Sequence, residues 1–133
     1  MSDTDSGRSQ EVIVGIADRL FTAIEQSDVA TLNRIFNDDI AVWRVGARRE
    51  NDKERALKVL QWLIDVTAER HYEVLDRQFF SNGFVQQHIL HATGHSGGSI
   101  ALRACIVIKL GINGLISRID EYFDPAELAP LLS

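Results

Sequence analysis

The spacing of apolar residues changes near residue 69, and this change is the strongest constraint on the fold of the chain. Before that point apolar residues recur every three or four positions, which is typical of amphipathic helices. Beyond it they alternate with polar residues, which is typical of half-buried strands. Helices followed by strands predict an α+β domain, with the helices on one face of an antiparallel sheet.

The local signals divide the chain into nine segments joined by turns and loops. Asp28 is the predicted cap of the second helix, and Asn51 or Asp52 that of the third. Residue pairs typical of tight turns, at 82–83 and 113–114, separate the later strands. The predicted helices are 11–26, 29–36, one from about 52 to 64 and a short one starting at Asp124 and Pro125; the predicted strands are 40–44, 71–80, 84–92, 100–110 and 116–123.

Composition bounds the chain to one domain and excludes several classes of function. A length of 133 residues fits a single domain, predicted at 11–133, with a polar flexible tail at 1–10. The net charge of −5 is spread without a basic run, which disfavours nucleic-acid and acidic-membrane partners. A single cysteine, Cys105, favours the reducing cytoplasm, and no segment has the pattern of a signal peptide or the length of a membrane span. Neither a metal site nor a cofactor is predicted, because no ligand framework is present.

A carboxylate on the last strand is the first candidate functional group. In the stretch ISRIDEYFDP, Glu121 shares a strand face with Ile119 and Phe123, so an acid lies between two large apolar side chains. Burial there would raise the pKa of the carboxyl group. A one-residue shift in register would instead turn Asp120 to this face.

A second strand repeats the arrangement. Phe84, Gln86 and His88 share one face, with hydrogen-bonding groups next to a large apolar residue. If both faces look into one concave sheet covered by the helices, these groups project into an apolar pocket, the usual form of a small-molecule site. A His and Glu pair within hydrogen-bonding reach would act as a general base with an orienting partner.

Structural roles compete with these interpretations. His88 is as readily a satisfied core histidine as a functional one, and Glu121 is also compatible with a solvated position at the rim of the sheet. Trp43 and Tyr72 are more typical of a core than of a ligand cage, although either would reach a ligand in such a pocket.

The chain resembles the nuclear transport factor 2-like superfamily, in its SnoaL-like branch. The stretches AIEQSDVATLNRIFNDDIAVW and GLISRIDEYFDPAELAPLL and the order of elements carry the resemblance, which covers nearly everything after residue 10. It implies a cone-shaped domain in which a strongly curved sheet wraps three helices around a deep pocket, commonly in a homodimer. The superfamily includes isomerases, hydrolases, dehydratases, cyclases and binding proteins, so the fold does not imply one activity.

Individual family positions are informative mainly by their differences. The catalytic aspartate and tyrosine of ketosteroid isomerase correspond here to Arg44 and Leu20, which argues against that reaction. The water-activating aspartate of limonene epoxide hydrolase corresponds to Glu121. The other acid and the arginine of that enzyme correspond to positions on the strand with Gln86 and His88, so hydrogen bonding is retained there and the cation is lost.

The leading hypothesis is a cytoplasmic, cofactor-free enzyme that performs acid/base chemistry, of hydrolase, isomerase or cyclase type, on an apolar oxygenated molecule. Its predicted catalytic residues are Glu121 and His88, and its predicted substrate-binding residues are Gln86, Trp43, Tyr72, Phe84, Ile119 and Phe123. The alternatives are a non-catalytic binding protein of the same shape and a dimerising association module. The loop 45–52 belongs either to the pocket mouth, where its arginines would favour an anionic ligand, or to the solvated surface.

Overall fold

The computed structural model describes residues 9–132 and contains four helical segments and five strands. The elements in chain order are α1 (Gln10–Glu25), α2 (Val29–Ile35), β1 (Phe36–Arg44), α3 (Lys53–Val66), β2 (Thr67–Phe80), β3 (Gly83–Gly94), β4 (Ser99–Leu110), β5 (Ile116–Tyr122) and a C-terminal 3₁₀ helix (Pro125–Leu131). The predicted α+β class is confirmed. No helix within the described residues is long and apolar enough to cross a membrane.

Side-chain caps set where the helices begin. Asp28 accepts a hydrogen bond from the Thr31 N–H at the start of α2, and Asp52 accepts one from the Arg55 N–H at the start of α3. Residues 1–8 of the predicted tail 1–10 lie outside the described residues. The last two residues of that range belong to α1, because Ser9 is its N-cap and Gln10 its first residue.

One residue predicted to be helical is part of a strand. Phe36 was expected in the inner stripe of α2, but its backbone is extended and it begins β1. It pairs with Ile116 of β5, and it is almost completely buried there. Burial against the sheet therefore outweighs the helical spacing.

The sheet has the strand order β1-β5-β4-β3-β2, and it is curved and unclosed. Three of its four strand pairs are antiparallel, as predicted, but β1 runs parallel to β5. The expectation of a wholly antiparallel sheet was wrong at this edge, because the chain between β1 and β5 is long enough to return in either direction. This parallel pair places Arg44 directly beside Glu121.

The inner face of the sheet meets the helices in the core. On β3 and β4 the even-numbered side chains are buried, as the alternation predicts, and on α1 the predicted apolar stripe is buried. α3 differs from α1, because Ala56 is its one fully buried residue. The rest of its predicted inner stripe is half-buried at Leu57, Leu60, Leu63 and Ile64 and exposed at Trp62. The reason is a cavity beneath α3.

Candidate active site

The cavity lies between the helices and the inner face of the sheet, with a volume of about 130 Å³. Its wall is mostly apolar, with side chains from α1, α3, the sheet and the C-terminal 3₁₀ helix. The hydrogen-bonding groups on the wall are Arg44, Trp62, Tyr72, His88 and Glu121. An apolar chamber with a few convergent polar groups is the usual form of a small-molecule site.

An ion pair forms one side of the cavity. The Arg44 Nε donates to Glu121 Oε1 over 2.9 Å, and both side chains are about one-fifth exposed. The pairing follows from the parallel register, which puts the two residues side by side at the ends of β1 and β5. Within the described residues, Glu121 Oε2 receives no side-chain hydrogen bond, and the buried Arg44 Nη1 has no partner. The pair therefore offers one proton acceptor and one donor to a ligand.

The register of β5 also decides which acid faces inward. Glu121 lines the cavity, whereas Asp120 is held on the other face by two 2.9 Å hydrogen bonds from Arg118. The predicted orientation of Glu121 is thus the observed one.

His88 is on the cavity wall but does not contact Glu121. Its side chain is 2% exposed, and its Nδ1 lies 2.8 Å from Gln86 Nε2. The Tyr72 and Phe21 rings flank the imidazole, with centroids at 4.9 and 5.5 Å. Burial, aided by the positive charge of Arg77, lowers the pKa of His88 to about 4. The ring is therefore neutral at physiological pH. It is not hydrogen-bonded to Glu121, which the predicted pairing of a general base with an orienting partner would require.

Tyr72 supplies a second neutral group beside His88. Burial, together with the negative charges of Glu121 and Glu25, raises the pKa of the Tyr72 hydroxyl far above its usual range. The hydroxyl therefore keeps its proton at physiological pH and can donate a hydrogen bond. The backbone N–H of Tyr72 donates to Glu25 Oε2 over 2.8 Å.

The other predicted contact residues divide into two groups. Ile119 and Phe123 line the cavity as expected. Gln86 and Phe84 are fully buried behind the wall, and Trp43 lies apart from the cavity, with its Nε1 donating to the Ala47 carbonyl over 3.2 Å. These three do not line the cavity, because the β3 side chains nearest the turn pack into the core and the Trp43 ring packs against Tyr122.

Arg44 is the group that the sequence analysis did not place in the site. The resemblance gives it only as a departure from the isomerase pattern. Arg48 and Arg49 of the loop 45–52 are exposed and do not line the cavity. The position of Arg44 at the end of the first strand is visible in the sequence. It indicates a place in the site only once β1 is known to pair with β5.

Within residues 9–132 no group of three or more His, Cys, Asp or Glu side chains is placed to hold a metal ion. His91 pairs with Glu73 over 2.8 Å on the sheet surface.

The buried neutral histidine predicts a dependence of stability on pH. The pKa of His88 is about 4 in the folded chain and near 6.5 when unfolded, so the unfolded chain binds a proton first as the pH falls. The contribution of neutral His88 to the free energy of unfolding is complete above about pH 6.5 and is lost as the pH falls from there to about 4. The loss has an upper limit of about 3 kcal/mol. Urea unfolding at pH 7 and pH 4.5, in wild type and in His88→Asn, measures this. A steeper loss in wild type is expected, and equal losses in the two proteins would contradict it.

No family model matches the chain, and no curated protein matches it in sequence. Solved structures do match it in shape. An LEH-like epoxide hydrolase from M. tuberculosis is 17% identical, with 93% of this chain and 91% of that chain covered and a TM-score of 0.75. A putative SnoaL-like polyketide cyclase from Shewanella putrefaciens is 16% identical, with 94% and 98% covered and a TM-score of 0.78. IdmH, a putative polyketide cyclase from Streptomyces antibioticus, is 17% identical, with 90% and 96% covered and a TM-score of 0.75.

Identities this low speak to the fold alone, and they confirm the predicted one. The chain has the nuclear transport factor 2-like fold, in the form shared by SnoaL-like cyclases and LEH-like epoxide hydrolases.

Proposed function

We propose that this chain is an enzyme that performs acid/base chemistry, without a cofactor, on a small neutral molecule that is apolar apart from one or more oxygen atoms. The observation that carries the proposal is a carboxylate with one uncommitted oxygen in an apolar cavity that also presents hydrogen-bond donors. A base beside fixed donors is the combination that proton abstraction next to a developing oxyanion requires.

Glu121 is the proposed base. Arg44 holds Oε1 and so orients the carboxylate, which leaves Oε2 as the oxygen proposed to take the proton. In hydrolysis of an epoxide, Oε2 would take a proton from water as the water oxygen attacks carbon and the ring C–O bond breaks. In isomerisation or cyclisation, Oε2 would take a proton from a carbon beside a carbonyl group, and the electron pair would move onto the carbonyl oxygen.

The proposed acid side of the reaction consists of Tyr72, His88 and Arg44. The Tyr72 and His88 rings are adjacent, with centroids 4.9 Å apart, and both residues line the cavity. The Arg44 Nη1 is buried without a partner among the described residues. Each would donate a hydrogen bond to the oxygen that gains negative charge. Removing one such donor from an active site typically costs about 100- to 1,000-fold in rate.

The charges of the wall favour a neutral substrate. Arg44 and Glu121 balance one another, and His88 and Tyr72 are uncharged at pH 7. A charged ligand would therefore enter an apolar chamber without a counter-ion, which is costly. Two of the similar structures are an LEH-like epoxide hydrolase and a putative SnoaL-like polyketide cyclase, and epoxides and polyketides both carry oxygen atoms on a carbon framework, which supports the choice.

The test is a turnover screen of neutral epoxides, enones and β-keto esters by mass spectrometry, with wild type and Glu121→Gln. Turnover by wild type that is lost in the variant supports the proposal. Saturable binding with no turnover of any class would contradict it, and would support the alternative of a binding protein.

We also propose a homodimer formed through the outer face of the sheet. Tyr122 is 46% exposed there and pairs in register with Cys105, and half-buried Val107 and Ile89 continue the apolar surface on β4 and β3. Light scattering should give roughly twice the 14.9 kDa chain mass for wild type and a smaller mass for Tyr122→Lys. A monomer in wild type at high micromolar concentration would contradict this assembly.

A cavity with convergent polar groups disfavours association as the only function.

A further inference from the structure

A chain of hydrogen bonds runs from the protein surface to the cavity wall. Asp18 Oδ1 on α1 accepts from Arg77 Nη1 on β2 over 3.0 Å. Arg77 Nε donates to Gln86 Oε1 over 2.7 Å, and Gln86 Nε2 lies 2.8 Å from His88 Nδ1. The side chain of Asp18 is 63% exposed, whereas Gln86 is completely buried, so the chain links solvent to the interior.

The chemistry of the partners fixes the direction of every bond in this chain. A guanidinium group only donates, so the Gln86 atom that faces Arg77 must be the amide oxygen. The amide NH₂ group therefore faces His88, and Nδ1 must accept from it. A neutral imidazole that accepts at Nδ1 carries its proton on Nε2.

We propose that Arg77 is a positioning residue which, through Gln86, holds His88 as the neutral Nε2–H tautomer, so that His88 acts on the substrate as a hydrogen-bond donor and not as a base. The part that concerns the substrate rests on the function proposed above. Nε2 has no hydrogen-bond partner among residues 9–132, and His88 lines the cavity, so a ligand oxygen is the partner that this N–H would find.

The surroundings oppose protonation of His88 in two ways. A proton on Nδ1 would face the Gln86 NH₂ group, which turns a hydrogen bond into a contact between two donors. The charge of Arg77, only partly offset by the exposed Asp18, repels an imidazolium. The other ionisable groups facing the same space are Tyr72, which is neutral, and the mutually paired Arg44 and Glu121. Phe21 contributes no charge.

The experiment is long-range ¹H–¹⁵N NMR of protein labelled at histidine nitrogens, followed from pH 5.5 to 8. In wild type, His88 should show a protonated Nε2, an unprotonated Nδ1 and no titration over this range. A wild-type signal with the proton on Nδ1 would overturn the proposal directly.

Gln86→Glu is a nearly isosteric change that reverses one bond. A carboxylate accepts from both neighbours, so it should still bind Arg77 but now require a proton on His88 Nδ1. The expected result is the Nδ1–H tautomer or an imidazolium, with the pKa of His88 raised to about 6.5 or above. An unchanged Nε2–H tautomer in this variant would overturn the proposal.

Arg77 is tested by Arg77→Met and by the conservative Arg77→Lys. Without a donor at residue 77 the Gln86 amide is free to turn, so the methionine variant should show both tautomers of His88. Lysine also only donates, so it should restore the wild-type tautomer. The matched control is Arg103→Met, an exposed arginine of β4, which should leave His88 unchanged. A wild-type spectrum from a folded Arg77→Met protein would show that Arg77 has no such role. If the methionine variant does not fold, the lysine variant decides, and loss of the wild-type tautomer in Arg77→Lys would also overturn the role of Arg77.

The activity readout separates this inference from the proposed function. On any substrate that the screen finds, and at a pH above the raised pKa of His88, Gln86→Glu should lower kcat by about 10- to 100-fold with a smaller change in KM. The neutral Nδ1–H tautomer then lacks the Nε2–H donor as charge develops in the transition state. The NMR result requires no substrate. A failed screen with the expected tautomers would therefore reject the enzyme and leave the positioning role of Arg77 standing.

Discussion

Replacing Glu121 by glutamine is expected to lower kcat by about 100- to 10,000-fold on whichever substrate the enzyme turns over, the range typical of a lost general base. Glutamine has nearly the same shape and its oxygen still accepts from Arg44, so the cavity keeps its form. It does not take a proton at physiological pH. Steady-state kinetics measures the effect, and KM is expected to change less than kcat.

Asp120→Asn is the matched control. Asp120 is the preceding residue of the same strand, its substitution removes the same charge, and it faces Arg118 on the opposite side of the sheet. The kcat of this variant should remain within about twofold of wild type, since asparagine still accepts from Arg118 and the side chain lies away from the cavity. Equal losses in the two variants would point to a change in the sheet. A fully active Glu121→Gln protein would exclude Glu121 as the base.

Replacing Arg70 by methionine is expected to lower the free energy of unfolding by about 3 kcal/mol or more. Arg70 is 8% exposed, and its guanidinium donates to the Ile24 carbonyl over 2.8 Å and to Thr67 Oγ1 over 2.6 Å. Ser27 Oγ is a third close partner, and Ser27 is also the one non-glycine residue of the described chain with a positive φ, at 61°. Arg70 thus closes the end of α1, where carbonyl groups lack helical partners and the helix dipole favours a positive charge.

Urea unfolding at pH 7 measures the loss. Arg70→Lys keeps the charge but not the planar fork of donors, so its stability should lie between those of wild type and Arg70→Met. Arg55→Met, with its exposed side chain on α3, should change stability by less than about 0.5 kcal/mol. If Arg70→Met were no less stable than Arg55→Met, the network at the end of α1 would not be a stabilising one.

Much of the fold could be predicted from the sequence because its signals are local. Caps such as Asp28 and Asp52 act within three residues, and side-chain alternation is a property of a single strand. Alternation predicted that Glu121 lies on the apolar face of its strand, and that face is part of the cavity wall. It likewise predicted which face of β3 carries His88, and that face is buried. Errors arose where local spacing competed with burial in the sheet, as at Phe36, and where a strand had two possible directions, as at β1.

The sequence by itself thus determined which side chains share a face, since alternation along a strand requires no knowledge of its neighbours. Only the tertiary structure decided which of them meet. Arg44 and Glu121 are 77 positions apart and form an ion pair because β1 runs parallel to β5, and no local pattern encodes that pairing. Likewise His88 and Glu121 face the same cavity without bonding to each other, because the nearer partner of His88 is Gln86, two residues along its own strand. Hydrogen bonds and ion pairs act over about 3 Å, so their partners are chosen by strand register and packing, which the whole chain decides together.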